Sequence, residues 1–202
     1  MKLIVVSNPD VIANEDDIIN SLFDEGLELF HLRKPTYDKK NLITLLNKIN
    51  SKHHSKIVLH QHHTLTEQFE INRIHFTESE RLKTASDDLK KIKEKYFTLS
   101  TSIHSLRDYQ LLSDSFSYTF FGPVFESISK HGYKPQSDKI ASLAEIKDRK
   151  IKIIAIGGIT ADKIEKTEQA SFDGVALLGS IWSDTKNAIK SFNECCRSVS
   201  MY

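Results

Sequence analysis

Short apolar runs alternate with amphipathic stretches along the whole chain. The runs lie at Leu3–Ser7, Leu29–Arg33, Lys56–Gln61, Arg73–Phe76, Phe97–Ser102, Tyr118–Val124, Ile151–Thr160 and Asp173–Ile181. The Ile and Ala of IKIIAI do not alternate with polar residues, which fits a parallel strand covered on both faces. Between the runs, Ile18, Ile19, Leu22 and Phe23 recur at helical spacing within Glu15–Glu25. Gly26 stops that helix. Leu42, Leu45, Leu46 and Ile49 form a second stripe within Asp38–Ser51. Shorter helices are predicted near Thr64–Glu70, Ser86–Lys95, Ser105–Leu112 and Ser142–Lys147, and a last one over about Lys186–Arg197.

Strand and helix therefore alternate eight times within 202 residues. That order implies a parallel sheet, and eight units predict an α/β fold, a single (β/α)8 barrel with residues 1–202 as one domain. The rival is an open doubly wound sheet, which carries its phosphate loop after the first strand. Here the first strand runs into SNPD, without glycine. Glycines come instead at the two last strands, as Gly157-Gly158 and Leu178-Gly179-Ser180. A strand, a glycine turn and a helix start bring unpaired N–H groups together, which suits an anion. Thr160 reads as the N-cap of the helix after strand 7. In a barrel, loops after strands 7 and 8 are where a phosphate binds.

Composition narrows the function classes. Hydrophobic residues make up 39% of the chain, enough for a core, and the net charge is +1. That balance gives no electrostatic case for nucleic acid or an anionic membrane. No apolar run approaches the ~20 residues of a membrane span. The N-terminal run is too short for a signal-peptide core, so a cytoplasmic protein is expected. Cys195 and Cys196 are adjacent and are the only cysteines, so no disulfide framework or thiolate metal site is expected. His53-His54 and His62-His63 stand among polar residues and read as solvated. A homodimer is possible; no open sheet edge demands one.

Barrel chemistry sits at the C-terminal ends of the strands. Strand 2 ends in His31-Leu32-Arg33-Lys34, with His31 and Arg33 on one face by alternation. Strand 3 ends in His60-Gln61-His62, and strand 4 in His75-Phe76-Thr77-Glu78-Ser79-Glu80. Strand 5 ends in Ser100-Thr101-Ser102-Ile103-His104, grouping Ser100, Ser102 and His104 if the strand persists. The loop after strand 6 carries Ser127, Ser129, Lys130 and His131, a polar, cationic segment suited to holding a phosphate.

Five pieces in order carry a resemblance: FHLRK, STSIHSL, FFGPVFESISKHG, IIAIGGIT and DGVALLGSI. With them the chain resembles the thiamine-phosphate synthase / TenI family over essentially its whole length. The resemblance implies a (β/α)8 barrel binding a thiazole phosphate and, in the synthases, a hydroxymethylpyrimidine diphosphate. In the synthases, diphosphate leaves the pyrimidine methylene and the thiazole nitrogen attacks the cation left behind, with Mg2+ and cationic side chains stabilising the leaving charge. Matched by position, Arg33 keeps the family's strand 2 arginine, while the lysine place is Pro35, with Lys34 adjacent. The strand 3 Asn-Asp metal pattern is His60-Gln61. Glu80 matches the second metal carboxylate, with Glu78 nearby. Ser102 matches the strand 5 hydroxyl, and Ser127, Ser129 and Lys130 match the T-x-T-K lid. Gly157 and Gly158, with amides of Leu178 and Gly179, match the phosphate site.

The TenI-like branch instead isomerises a carboxylated thiazole phosphate, a proton transfer that needs an acid/base group and no metal. Its catalytic His, in FGH after strand 6, is Pro123 here. His31 and His104, then His60, are the substitutes. The expected reading is thus a TenI-like thiazole tautomerase without cofactor. The alternatives are a divergent Mg2+-dependent thiamine-phosphate synthase and a non-catalytic module that kept the phosphate site.

Overall fold

Residues without alternation become strands whose two faces are both covered. A computed structural model describes residues 1–126, 143, 146 and 149–200. The strands are β1 (Lys2–Val6), β2 (Phe30–Leu32), β3 (Ile57–Leu59), β4 (Arg73–Phe76), β5 (Thr98–Ile103), β6 (Tyr118–Phe121), β7 (Lys152–Ile156) and β8 (Gly174–Leu177). Each pairs in parallel with the next, and β8 pairs with β1, with Leu3 opposite Val175. The result is the closed eight-stranded barrel that the strand–helix alternation predicts.

The helices among the described residues are α1 (Glu15–Asp24), α2 (Lys39–Lys48), α3 (Leu65–Gln68), α4 (Glu78–Lys83), α5 (Ser86–Lys95), α6 (Leu106–Gln110), α7 (Ile164–Gln169), α8 (Gly179–Trp182) and α9 (Ala188–Ser200). The predicted loop over Glu126–Pro135 and helix near Ser142–Lys147 lie almost wholly outside the described residues. None of the described helices is long and apolar enough to cross a membrane.

Two apolar layers follow from strand alternation. Outward-facing Val5, Phe30, Leu32, Ile57, Leu59, Phe121, Ile153 and Val175 pack against the helices through Ile19, Leu22, Leu42 and Leu46. Inward-facing Ile4, Val6, Val58, Tyr118, Phe120, Ile154 and Ala176 fill the lumen. The Trp182 indole N–H donates to Val6 O at 2.7 Å, locking α8 onto β1.

Three expectations change. α4 is a separate helix, started by a capping box in which the Thr77 hydroxyl accepts from Glu80 N–H and Glu80 accepts from Thr77 N–H. The strands β2, β3 and β6 are shorter than their apolar runs. His53 and His54 are buried instead of solvated. The His53 ring stacks on Phe23 at 4.5 Å, and His54 Nε2–H lies 3.2 and 3.1 Å from the carbonyls of Leu46 and Ile49. The amphipathic ring satisfies the end of α2 while covering apolar surface, a role the local sequence does not mark.

Candidate active site at the barrel mouth

The β7 side of the mouth is made of backbone. Gly157 and Gly158 have φ values of +99° and +65°, a region costly for residues with a Cβ. A Cβ on Gly157 would sit 2.8 Å from Pro123 Cα, and one on Gly158 2.3 Å from Glu126 O. The β6 loop therefore lies directly on the glycine turn. Val124 N–H donates to Ile156 O at 3.0 Å and Phe125 N–H to Gly157 O at 3.1 Å. Lys163 Nζ donates to Gly158 O at 3.0 Å. The carbonyls of Ile156, Gly157 and Gly158 are consumed in this way. Thr160 precedes a short 3-10 turn and makes no side-chain cap hydrogen bond to it. After β8, α8 starts at Gly179 with Leu178 as an N-cap that offers no side-chain acceptor. First-turn N–H groups have no partner within their helix. The buried Ser180 Oγ beside them has no partner among the described residues.

The β2–β6 side is made of side chains. His31, His60 and His75 are buried inside the barrel. His31 Nδ1 lies 2.8 Å from His60 Nε2, and His31 Nε2 lies 2.6 Å from the Tyr118 hydroxyl. The His60 and His75 rings stack at 4.0 Å. His75 Nδ1 meets Ser100 Oγ at 2.9 Å and its Nε2 meets Ser102 Oγ at 3.1 Å. Phe120 closes the cluster, 4.6 Å from the His31 ring and 5.2 Å from the His75 ring. Burial, more than the neighbouring imidazoles, pushes His31 and His60 well below the usual histidine range. His75 falls to about 3 for the same reason. All three rings are neutral at physiological pH. Burial likewise raises the Tyr118 phenol, so it stays protonated.

The remaining predicted residues divide. Arg33 is exposed at the mouth, with its backbone pinned on both sides by Ser7: its N–H donates to Ser7 Oγ at 2.8 Å, and that hydroxyl donates to Arg33 O at 2.9 Å. Its charge reaches His60 and His75, so it shares their end of the barrel. Ser102 is half-buried beside His75. Lys34 is not at the mouth. It is fully buried toward the helices, 2.5 Å from Glu15 Oε2, and donates to Asp10 O at 2.7 Å. Burial raises the Glu15 carboxyl against the pull of that ammonium. Inward and outward positions alternate along a strand end, and Lys34 takes the outward one. His104 lies past β5 with an exposed ring whose Nδ1–H donates to Gly122 O at 2.8 Å, separate from the three-imidazole cluster. Ser127, Ser129 and Lys130 lie outside the described residues.

The donors do not fit the Mg2+ that the resemblance implies. Mg2+ requires oxygen ligands in octahedral array. Gln61, in the place of the strand 3 aspartate, is turned onto the Lys34 backbone: it donates to Lys34 O and accepts from Lys34 N–H. Glu80 Oε2 is held by Thr77 N–H and Oγ1–H at 2.8 and 2.7 Å, serving the capping box.

His75, Ser100 and Tyr118 belong to the cluster although no role is assigned to them from sequence. A period-2 signal was available, since His31, Val58 and His60, His75, Ser100 and Tyr118 all occupy inward positions. Which histidines meet across strands depends on register, with Leu32 opposite Leu59 and Leu59 opposite Ile74.

Comparison with known proteins agrees with the barrel fold. The family model described as thiamine monophosphate synthase (TMP-TENI) matches residues 3–181. A protein of Staphylococcus haemolyticus named thiamine-phosphate synthase is 27% identical over 188 residues, covering 88% of this chain and 86% of that protein. One of the same name from Clostridium tetani is 23% identical over 95% of this chain and 96% of its own length. The crystal structure of thiamine phosphate pyrophosphorylase from Bacteroides thetaiotaomicron superposes with a TM-score of 0.77 at 28% identity, covering 100% of this chain and 98% of that one.

Proposed function

Since the chain belongs to the thiamine monophosphate synthase (TMP-TENI) family, we propose that it is a transferase of thiamine biosynthesis, coupling a hydroxymethylpyrimidine diphosphate to a thiazole phosphate. The thiazole nitrogen lone pair forms the new C–N bond to the pyrimidine methylene. The methylene C–O bond breaks, and its electron pair leaves with diphosphate. The observation that carries this reading is that one rim holds two separate anion-recognition elements. The glycine turn of β7 with the first turn of α8 offers backbone N–H groups. The exposed Arg33 on β2 offers a planar cation. Two phosphorylated substrates need two such elements, whereas a tautomerase acting on one thiazole phosphate needs one.

The roles of this chain's residues follow. Gly157, Gly158, Leu178 and Gly179 hold the thiazole phosphate, and Arg33 binds the diphosphate. Ser102 adds a donor to that charge; Ser127, Ser129 and Lys130, proposed for the same role from the family match, lie outside the described residues. No step is assigned to Mg2+, because Gln61 and Glu80 are engaged elsewhere.

The tautomerase reading keeps one of its three candidate bases, His104, which lies apart from the buried cluster. Its chemistry needs a base working near neutrality. His31 and His60 are bonded to each other and pushed well below that range by burial. The test is a mixing assay of both substrates with a panel of divalent ions. Thiamine phosphate and free diphosphate should appear only when both substrates are present. The reading fails if no ion supports product while the thiazole ring proton still exchanges by NMR.

A further inference from the structure

We infer that His31, His60 and His75 form a binding site for one divalent transition ion of the Zn2+ type, within the barrel beneath the mouth. One nitrogen from each ring lies within 4.8 Å of one from each of the others. Tetrahedral Zn2+ with Zn–N of about 2.0–2.1 Å places its ligands about 3.4 Å apart. The 2.8 Å between His31 and His60 is shorter than that spacing, so an ion enters by opening this hydrogen bond and turning the stacked His60 and His75 rings toward one point.

The hydrogen bonds around the cluster select the ligating atoms. With its proton on Nε2, 2.6 Å from Tyr118 Oη, His31 keeps Nδ1 facing the cluster as the ligand atom. His75 Nδ1–H donates to Ser100 Oγ at 2.9 Å, which leaves Nε2. A metal-bound imidazole is held in this way, with its second nitrogen bonded to a fixed partner. In the metal-free protein one proton lies between His31 Nδ1 and His60 Nε2. The ion takes its place when that proton passes to the other nitrogen of His60, so each ring stays neutral. Ser102 Oγ, 3.1 Å from His75 Nε2 and half-buried toward the mouth, marks the fourth position and the entry path.

Donor chemistry sets the selectivity. Three imidazoles favour Zn2+, Co2+ or Ni2+ over Mg2+, which takes oxygen. His31 and His75 sit on strands of a closed barrel and His60 directly follows β3, its N–H bonded to Leu32 O at 3.3 Å, so the site is held by rigid elements. Neither the resemblance nor the relatives' names assign these three residues together.

The test uses the full chain, stripped with a chelator and dialysed against Zn2+ or Co2+, with metal content and the Co2+ visible spectrum as readouts. One Zn2+ per chain, unaffected by a thousandfold excess of Mg2+, and the intense Co2+ bands of a four-coordinate site are expected. His60→Asn, which keeps a side chain of similar polarity, should lower affinity at least 100-fold. Tyr118→Phe should lower it about 10- to 100-fold. Glu80→Gln should leave it unchanged. The inference is overturned if His60→Asn binds as tightly as the parent, which would mark surface histidines as the ligands, or if Mg2+ displaces the ion. Metal content is independent of turnover, so failure here and failure of the transferase reading are distinguishable.

Discussion

The two sides of the barrel mouth are built in different ways. The β7–β8 side presents a glycine turn and the start of a short helix, and the side chains beneath them, Ile154 and Ala176, are apolar. The β2–β6 side presents imidazoles, hydroxyls and a phenol, linked in a network from Tyr118 through His31 and from His75 to Ser102. The first side depends on shape: glycine at positive φ, with the β6 loop resting on it. The second depends on which side chains the strands bring together. A backbone site tolerates change around it as long as the glycines stay. A side-chain site changes its chemistry when one residue changes.

The largest expected effect is on the backbone side. Gly158→Val forces a Cβ to 2.3 Å from Glu126 O at φ +65°. Thiazole-phosphate affinity by calorimetry should fall more than about 100-fold, well over 2.7 kcal/mol. Binding at parental strength would break the comparison, since the turn would then not be a phosphate cradle.

Next is a residue that sequence places on the side-chain rim and structure removes from it. Lys34→Met leaves Glu15 buried without its cation, at a cost of about 3–5 kcal/mol in urea unfolding. Lys34→Met combined with Glu15→Leu should recover most of that loss. If instead the single variant kept its stability and lost only ligand affinity, Lys34 would return to the site.

Arg33→Ala should weaken diphosphate binding about 10- to 100-fold, the worth of charged hydrogen bonds. Its stability should change by less than about 0.5 kcal/mol, because the side chain is exposed. Equal loss of thiazole-phosphate binding would mean the two anion elements serve one ligand.

The side-chain half also makes the metal-free fold acid-sensitive. His75 is neutral in the folded protein, with its pKa at about 3, while the unfolded chain takes up a proton near 6.5. Stability is therefore full above pH 6.5 and is lost as pH falls from there toward 3, with about 2 kcal/mol gone by pH 5. Urea titrations at pH 7, 6 and 5 measure it. The backbone half contributes no such slope. The smallest effect is Glu80→Ala, which removes half of a capping box and costs about 1 kcal/mol, with no change in metal content.

The fold was legible from the sequence because each barrel unit is local. Apolar runs, helical stripes and glycine stops repeat along the chain, and eight of them close only one way. The backbone side of the site was legible for the same reason: Gly157-Gly158 and Leu178-Gly179 each announce themselves within a few residues. The side-chain half was legible only in part. Arg33 and Ser102 follow from strand parity, which is a local property. Lys34 fails because it is placed at the mouth only for adjoining the family's lysine position, although parity with outward Phe30 and Leu32 already turns it to the helices, where Glu15 meets it. Glu80 fails because its carboxylate has a nearer use at the start of α4.

The sequence by itself determined the alternation of strands and helices, the glycine turns and the inward parity of His31, His60 and His75. Only the tertiary structure decided that His31, His60 and His75 meet, that Tyr118 and Ser100 orient them, and that His53 and His54 are buried. The physical reason is register. Residues of different strands become neighbours through inter-strand hydrogen bonds and the closure of β8 onto β1, and those alignments are settled by packing of the whole barrel, not by any one segment.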